Sequence, residues 1–333
     1  MSKSFNTTGV CIPEKHYMIN LDERLKEIKK LVDNDCYFVI NRARQYGKTT
    51  TLRALYRYLQ NDYYVVLMDF QTFGNADFDS EYSFSTAFAH TFSEILEYNK
   101  LQKTESLEES LASLNQENQK LTLRVLFKIL KNICRESDKP IVLMIDEVDS
   151  ASENKVFVDF LAQLRSMYLT RDMQPAFKSV ILASVYDVKN LKLKLRSGEE
   201  HKYNSPWNIA ADFNIDMSFS RIEISKMLKE YEKDHNTGMD IEEMAGLIED
   251  YTSGYPFLVS RLCQLLDRKY EAGMTDQEHK GIWTKEGFNA AIRSILTEKN
   301  TLFESLSEKL LSYPELNTMF RSILFGGKEI TYN

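Results

Sequence analysis

The sequence predicts an α/β protein: a three-layer αβα core with a parallel sheet, followed by a wholly helical region. Short apolar runs alternate with helical patterns over residues 36–220, as in strands buried on both faces of a parallel sheet. Glycine and proline are scarce, at 12 and 6, which favours long helices. We predict a segment with one helix over 1–35, the core over 36–220 and a helical region over 221–333, with the boundary near Ser220.

The strands of the sheet are predicted from four apolar runs and one weaker segment. The runs are rich in β-branched and aromatic residues, and helical segments between them supply the crossovers that parallel pairing requires. The predicted strands are 36–40, 63–68, 141–145, 178–183 and, as the weaker segment, 214–218.

Helices are predicted wherever apolar residues recur every three or four positions. In the first helix, over 21–32, Leu21, Leu25 and Ile28 share one face. Residues 83–135 form a helical insertion, whose polar middle (105–119) has few bulky anchors and is expected to be its most mobile part. The other predicted helices cover 50–59, 155–169, 224–234, 241–252, 256–272, 285–296 and 301–311.

Composition is that of a soluble globular protein, with 43% hydrophobic and 27% charged residues. A net charge of −7 argues against a generally basic, nucleic-acid-coating surface but leaves a local basic patch open. The chain has neither an apolar run near the roughly 18 residues of a membrane span nor the apolar core of a signal peptide, so we expect a cytoplasmic protein without membrane partners. Its four cysteines lie far apart, which predicts free thiols rather than disulfides or a zinc site.

Residues 41–49, Asn-Arg-Ala-Arg-Gln-Tyr-Gly-Lys-Thr, fit a phosphate-binding loop with one departure. The usual pattern is G-x-x-x-x-G-K-[ST], and Arg42 replaces its first glycine. A strand precedes the loop and a helix follows it, a context in which backbone N–H groups bind phosphate oxygens. We expect Lys48 to reach the β- and γ-phosphates, the Thr49 hydroxyl to ligate Mg²⁺, and Arg42 to pair with an acid. The loop residues expected to contact nucleotide are Arg44, Gln45, Tyr46, Gly47, Lys48, Thr49 and Thr50. A strand, a turn and a basic helix start would explain this stretch without any ligand.

The second motif is the apolar run 141–145 followed by Asp146 and Glu147, the form of a Walker B element. Ligands of open α/β sheets bind at the carboxyl ends of the strands, where these acids would lie. Asp146 would hold Mg²⁺, and Glu147 would orient and deprotonate the attacking water. Two solvated carboxylates are the alternative, but the preceding phosphate loop favours nucleotide chemistry. The absence of an Asn-Lys-x-Asp guanine signature favours ATP over GTP.

An acid pair directly on this strand is typical of the additional-strand class of phosphate-loop proteins. In that class a further strand separates the loop strand from the acidic strand and ends in a polar sensor beside the γ-phosphate. Ser184 is our candidate sensor, although serine after a strand is also a common turn residue. In the same class a segment before the first helix contacts the base, which makes Tyr17 and Met18 candidates. The candidates for an arginine finger, which the sequence does not rank, are Arg165, Arg171 and Arg196.

Together these motifs resemble the bacterial AAA-like ATPases, which are related to the archaeal-type ATPases and STAND switches. The segments that carry the resemblance are 40–52, 145–149, 184–187 and 252–256, and it extends over about residues 10–330. It implies a P-loop NTPase core with a helical lid, ATP and Mg²⁺ as ligands, and a loop that commonly lacks the first glycine. It also implies that Gly254-Tyr-Pro256 folds toward the nucleotide and that Arg261 is a second sensor on the phosphates. A C-cap glycine followed by a helix-starting proline explains the tripeptide equally well.

Several functions remain open at this stage. The intact set of motif residues favours an ATPase that drives lid motion or partner assembly. A nucleotide-gated interaction switch with little hydrolysis is the alternative, followed by a nucleic-acid motor or clamp. Besides ATP and ADP we expect an unidentified protein partner; nucleic acid is not indicated, and a homo-oligomer is left open. Some relatives carry a PD-(D/E)XK nuclease domain, but that pattern is missing here, so nuclease activity is not predicted.

Overall fold

The computed structural model divides into two compact units: Asn20–Met217, and Met1–Ile19 together with Ser218–Asn333. We call them the sheet unit and the helical unit. The predicted segment 1–35 is therefore shared, since its first 19 residues group with the helical unit and its helix groups with the sheet. The structure describes residues 3–99, 104–114, 121–185, 188, 206–268, 281–298 and 301–326.

The described sheet is parallel and has the strand order β1-β4-β3-β2. The strands are β1 (Phe38–Asn41), β2 (Tyr64–Asp69), β3 (Ile141–Asp146) and β4 (Ser179–Ser184). Every residue of β3 and β4 is buried, as the continuous apolar runs predict. Because β4 separates β1 from β3, the order confirms the additional-strand arrangement.

The strand register brings the polar strand ends to one edge of the sheet. Asn41 of β1 is level with Ser184 of β4, and Asp69 of β2 is level with Asp146 of β3. All four residues end their strands at the carboxyl edge, where open α/β sheets bind ligands.

The predicted fifth strand, 214–218, is wrong. On the edge of β1 that faces away from β4, the described residues form an isolated bridge between Phe38 and Ala211 and no further strand, with the Ala211 N–H donating to the Tyr37 carbonyl at 2.8 Å. The segment reads Asn-Ile-Asp-Met-Ser, and such alternation does not suit a strand that is buried on both faces.

The helices of the sheet unit cover the sheet and follow the predicted order. The few bulky residues expected in the polar stretch 105–119 do anchor its described part, since 105–114 form a helix with Leu107, Leu111 and Leu114 buried. The mobility of the stretch stays a prediction. The leucines at i, i+4 and i+7 lie on one helical face and join the main core. The helices are α1 (Asp22–Asp33), α2 (Lys48–Leu59), α3 (Glu81–Tyr98), α4 (Glu105–Leu114), α5 (Leu123–Glu136) and α6 (Lys155–Leu169).

The helical unit has its own core, built around aromatic side chains. Phe5 lies 5.1 Å from Tyr17 and Tyr231, ring centre to ring centre, and Tyr231 lies 4.8 Å from Trp283. None of the described helices of the protein combines the length and apolar character that crossing a bilayer requires. The unit's described helices are α7 (Arg221–His235), α8 (Ile241–Thr252), α9 (Pro256–Arg268), α10 (Lys285–Thr297), α11 (Thr301–Ser312) and α12 (Pro314–Gly326).

Candidate functional site

The phosphate loop connects β1 to α2, in the strand–loop–helix context that the sequence predicts. Gly47, at the N-cap of α2, has φ 78°, a left-handed conformation that glycine adopts without strain. No side chain caps this helix start, so it presents backbone N–H groups of the kind that bind anions. The helix begins two residues earlier than predicted, which puts Lys48 and Thr49 on its first turn.

Arg42, at the position of the missing glycine, clamps the loop to the segment that follows β4. Its guanidinium donates hydrogen bonds to the carbonyls of Ile215 and Asn41, each at 2.8 Å, and lies 5.4 Å from the centre of the Phe213 ring. The expected pairing with an acid is wrong, because these partners are carbonyls and a ring. Arg42 is not among the described non-glycine residues with positive φ, so its backbone position does not need glycine.

Lys48 is a buried cation, with only 5% of its surface exposed. Its ammonium donates to the carbonyls of Arg42 and Ala43, at 2.9 and 3.1 Å, and forms no ion pair within the described part of the chain. Burial lowers the pKa of Lys48, while nearby carboxylates, Glu147 first among them, act in the opposite direction. Since an ammonium has three donors, one remains for an anion such as a phosphate oxygen.

Asp146 and Thr49 meet beside this lysine as a pair of oxygen ligands. Asp146 ends β3 and is 4% exposed; it accepts hydrogen bonds from the Thr49 hydroxyl and, at 2.9 Å, from the Glu147 N–H. Burial raises the pKa of Asp146, and these two hydrogen bonds partly offset the rise. A hydroxyl and a carboxylate are hard oxygen donors, so the pair fits Mg²⁺.

Glu147, the predicted general base, is held in a left-handed backbone conformation with φ 52° and ψ 41°. This conformation costs a non-glycine residue about 1–2 kcal/mol, and such strain is concentrated at functional sites. Burial raises the pKa of the Glu147 carboxyl, and the charge of Asp146 raises it further. A carboxylate with a raised pKa is a better proton acceptor than an ordinary one.

Ser184 ends β4 and is fixed by a residue that the sequence reasoning missed. The Ser184 hydroxyl and the Val185 N–H both donate to the Asp149 carboxylate, each at 2.7 Å. On the other side, the Ser184 carbonyl accepts the Arg42 N–H at 3.2 Å. Asp149 could have been found as the third acid of Ile145-Asp-Glu-Val-Asp149, a segment to which we gave no role beyond its first two acids.

The other predicted loop contacts lie where a ligand at the loop would meet them. Arg44 and Gln45 are exposed, Tyr46 and Thr50 are half-buried, and Gln45 has a positive φ of 58°. Their contact with nucleotide stays a prediction.

Three candidate nucleotide contacts belong to the helical unit. Tyr17 is buried, and its hydroxyl donates to Asp234 at 2.8 Å; Met18 beside it is half-buried. Arg261 forms a two-point ion pair with Glu298, at 3.0 and 2.6 Å. The structure thus gives each polar group a partner within its own unit, and the roles toward nucleotide stay predictions.

Gly254 lies in the link between α8 and α9, and Pro256 is the first residue of α9. Ser253, at the C-cap of α8, has φ 49°; Gly254 after it has φ 68°, and its carbonyl accepts the Phe219 N–H at 2.8 Å. The tripeptide therefore follows a left-handed helix end and supplies the proline that starts the next helix, whatever else it does.

The candidate arginine fingers differ in their surroundings. Arg171 lies over the Tyr168 ring at 3.7 Å and donates to the carbonyl of the same residue at 2.7 Å. The Nε of Arg165 is buried and has no hydrogen-bond partner among the residues that the structure describes, and Arg196 is not one of those residues.

Comparisons with known proteins agree with this geometry. The chain resembles the structure of a Walker-type ATPase of Pyrococcus abyssi, with a TM-score of 0.63 and 18% identity over 97% of this chain and 83% of that one. Weaker matches, too distant to support an argument, are Cdc6p of Pyrobaculum aerophilum (TM-score 0.43, 12% identity, 79% of this chain and 63% of that one) and Aeropyrum pernix Orc1 in complex with DNA (0.45, 11%, 84% and 66%). No curated protein sequence matches. The sequence profile of the AAA-like domain family matches residues 14–325, and the chain belongs to that family.

Proposed function

We propose that this protein is a Mg²⁺-dependent ATPase whose nucleotide site is the phosphate loop with the ends of β3 and β4. The observation that carries the proposal is Lys48, a buried ammonium whose hydrogen-bond partners among the described residues are the two loop carbonyls. Buried charges in proteins are normally paired, so this one suits an anionic ligand. The Thr49 hydroxyl, on the next residue, hydrogen-bonds to Asp146. These two side chains supply oxygen ligands for the Mg²⁺ that accompanies a nucleoside triphosphate.

In this proposal each residue has a separate task. Lys48 and the N–H groups at the start of α2 bind the β- and γ-phosphates. Thr49 and Asp146 hold Mg²⁺, which when bound neutralises charge on the phosphate oxygens. Glu147 orients the attacking water and accepts its proton, and Ser184 hydrogen-bonds near the γ-phosphate.

We further propose that turnover is coupled to motion of the helical unit and to an unidentified protein partner. The Arg261–Glu298 ion pair supports a gated version of this idea, because Arg261 must exchange that partner to serve as a second sensor. A switch that binds ATP and hydrolyses little of it is the other candidate. The Arg261–Glu298 pair is equally compatible with this switch, because an Arg261 that stays bound to Glu298 would not assist hydrolysis.

The test measures Mg·ATP binding by calorimetry and steady-state phosphate release for four proteins: wild type, Glu147→Gln, Lys48→Ala and the control Lys30→Ala. Lys30 is an exposed lysine of α1 in the same unit. We expect Glu147→Gln to bind ATP but to lose phosphate release by about 100-fold or more, as for loss of a general base. Lys48→Ala should lose binding, and Lys30→Ala should behave as wild type.

The outcomes separate the candidates. ATP binding by wild type with background phosphate release in all four proteins would favour the switch over the ATPase. Equal ATP binding by wild type and Lys48→Ala would contradict the proposed site itself. Competition by GTP as strong as by ATP would contradict the choice of ATP.

A further inference from the structure

Four basic residues form a stripe along the outer face of α5. At 3.6 residues per turn, Arg124, Lys128, Lys131 and Arg135 fall within an arc of about 60°, over a length of about 16 Å. Leu126, Leu130 and two further apolar residues of the helix, Ile129 and Ile133, are buried against the core on the opposite side. The helix therefore presents a linear array of positive charge on one face and its apolar residues on the other.

The stripe forms one wall of a groove with a volume of about 590 Å³ between α5 and α6. The rest of the described lining is neutral: it adds amides and a hydroxyl, with three apolar side chains, and includes no Asp or Glu. This composition stands out in a chain with 49 acidic and 42 basic residues. The lining residues besides the four cations are Val125, Phe127, Asn132, Gln163, Ser166, Gln174 and Pro175.

Most of the positive charge in this groove is not neutralised by the protein. Arg124 and Lys128 are exposed and form no ion pair or hydrogen bond within the described residues. Lys131 donates at 2.6 Å to Gln174, a neutral amide, so its charge remains. Arg135 is the one member of the stripe with an ion pair in the described part of the chain, to Glu136 at 2.9 Å. Three uncompensated cations on one rigid helix suit a ligand with regularly spaced negative charges.

We propose that this groove, which we call the α5 groove, binds the sugar–phosphate backbone of a nucleic acid duplex without reading its sequence. In such complexes the phosphates are contacted by Arg and Lys and also by neutral polar side chains. Gln163 and Ser166 are neutral polar residues of this kind in the groove. An acidic peptide would need apolar pockets for its anchors, and single strands need exposed aromatic rings for base stacking. The one aromatic lining residue, Phe127, is only 3% exposed and provides neither.

The proposal is independent of the proposed ATPase activity, so the test omits nucleotide. Fluorescence anisotropy would follow a labelled 20-base-pair DNA duplex between 50 and 200 mM KCl. The test variant is Arg124→Glu/Lys128→Glu. The matched control is Lys26→Glu/Lys30→Glu, which makes the same change in net charge at exposed residues of α1 in the same unit.

With three phosphate contacts, log K should fall against log[salt] with a slope of about −2.7, and the test variant should reduce the slope by about 1.8. Its affinity at 100 mM KCl should fall by about tenfold or more, while the control should stay within about threefold of wild type. Circular dichroism would verify folding, and Arg124→Gln/Lys128→Gln would replace a glutamate variant that fails to fold.

Four results would overturn the proposal. Equal losses in the test and control variants would assign binding to net charge rather than to the α5 groove. Tighter binding of a single strand of equal length would point to base stacking. Competition by polyglutamate as strong as by duplex would identify an acidic polypeptide as the ligand. Absence of salt-dependent duplex binding by the wild type would reject the groove altogether.

Discussion

Arg42 offers a sharp test of the physical reasoning, because changing it to glycine restores the usual phosphate-loop sequence. If the missing glycine were a defect, Arg42→Gly would raise the free energy of unfolding. The structure predicts the reverse: the substitution lowers the free energy of unfolding and leaves the loop able to bind nucleotide. The backbone N–H that bonds to the Ser184 carbonyl is retained in the variant.

The expected loss is about 2.5–4 kcal/mol and has three sources. The guanidinium hydrogen bond to the Ile215 carbonyl is charge-assisted, and such bonds contribute about 1.5–3 kcal/mol. Stacking over Phe213 adds about 0.5–1 kcal/mol at a half-buried site. Glycine costs a further roughly 0.5–1 kcal/mol in backbone entropy. We place the total in the lower part of the combined range because Arg42 is partly open to solvent.

Tryptophan fluorescence can measure this loss of stability in the sheet unit, separately from the helical unit. The chain has two tryptophans, of which Trp207 belongs to the sheet unit and Trp283 to the helical unit. In a Trp283→Phe background, urea unfolding followed at Trp207 reports the sheet unit alone. Arg42→Ala separates the side-chain losses from the glycine entropy and should be about 0.5–1 kcal/mol more stable than Arg42→Gly.

The reasoning would be refuted if Arg42→Gly were as stable as wild type or more so with an unchanged urea m-value. An altered m-value would indicate a changed denatured state and would remove the comparison from this test. Restored stability in Arg42→Lys would show that charge alone suffices, against the forked hydrogen bonding described here.

Three further predictions concern other parts of the chain. Both carboxylate oxygens of Asp149 accept hydrogen bonds, and Asp149→Asn replaces one of these oxygens by an NH₂ donor. Thermal unfolding should therefore show a loss of stability of about 1.5–3 kcal/mol. Asp149→Glu should not restore the lost stability, because its carboxylate lies one methylene further from the backbone. Gly254→Ala places a methyl group 2.2 Å from the Phe219 carbonyl oxygen at a positive φ, so the helical unit, followed at Trp283, should lose about 2 kcal/mol or more; a variant as stable as wild type would contradict the described backbone. Leu111→Ala should cost about 2–5 kcal/mol in urea unfolding if α4 is packed as described, whereas a loss under about 0.5 kcal/mol would restore the mobile-insertion interpretation.

Much of the sheet unit could be predicted because its signals are local. The runs at 141–145 and 180–183 are apolar at every position, which only a strand buried on both faces explains economically. The phosphate loop was recognisable because glycine, lysine and threonine in that spacing have one common physical use. Even the strand order followed from the Asp146–Glu147 pair, through a known class of sheet rather than through periodicity.

The errors have a common cause, which is that tertiary partners decided the outcome. Six of the ten residues 105–114 are glutamate or serine, and the three leucines that anchor α4 become informative only once α3 and α5 are in place to receive them. Arg42 was expected to seek a carboxylate, but the carbonyl of Ile215, 173 residues away, is the partner that the fold brings to it. A pattern within one stretch of sequence cannot predict a contact between residues that are so far apart along the chain.

The position of β4 also explains why Asp149 matters more than its spacing suggests. Because β4 lies between β1 and β3, its carboxyl end lies between the end of the loop strand and the end of the acidic strand. The Ser184 carbonyl accepts from Arg42 on the side of β1, while the Ser184 hydroxyl donates to Asp149 on the side of β3. Ser184 is thus hydrogen-bonded to the start of the phosphate loop on one side and, on the other, to Asp149, which follows Glu147 by two residues. A role of Ser184 in sensing the state of the loop stays a prediction.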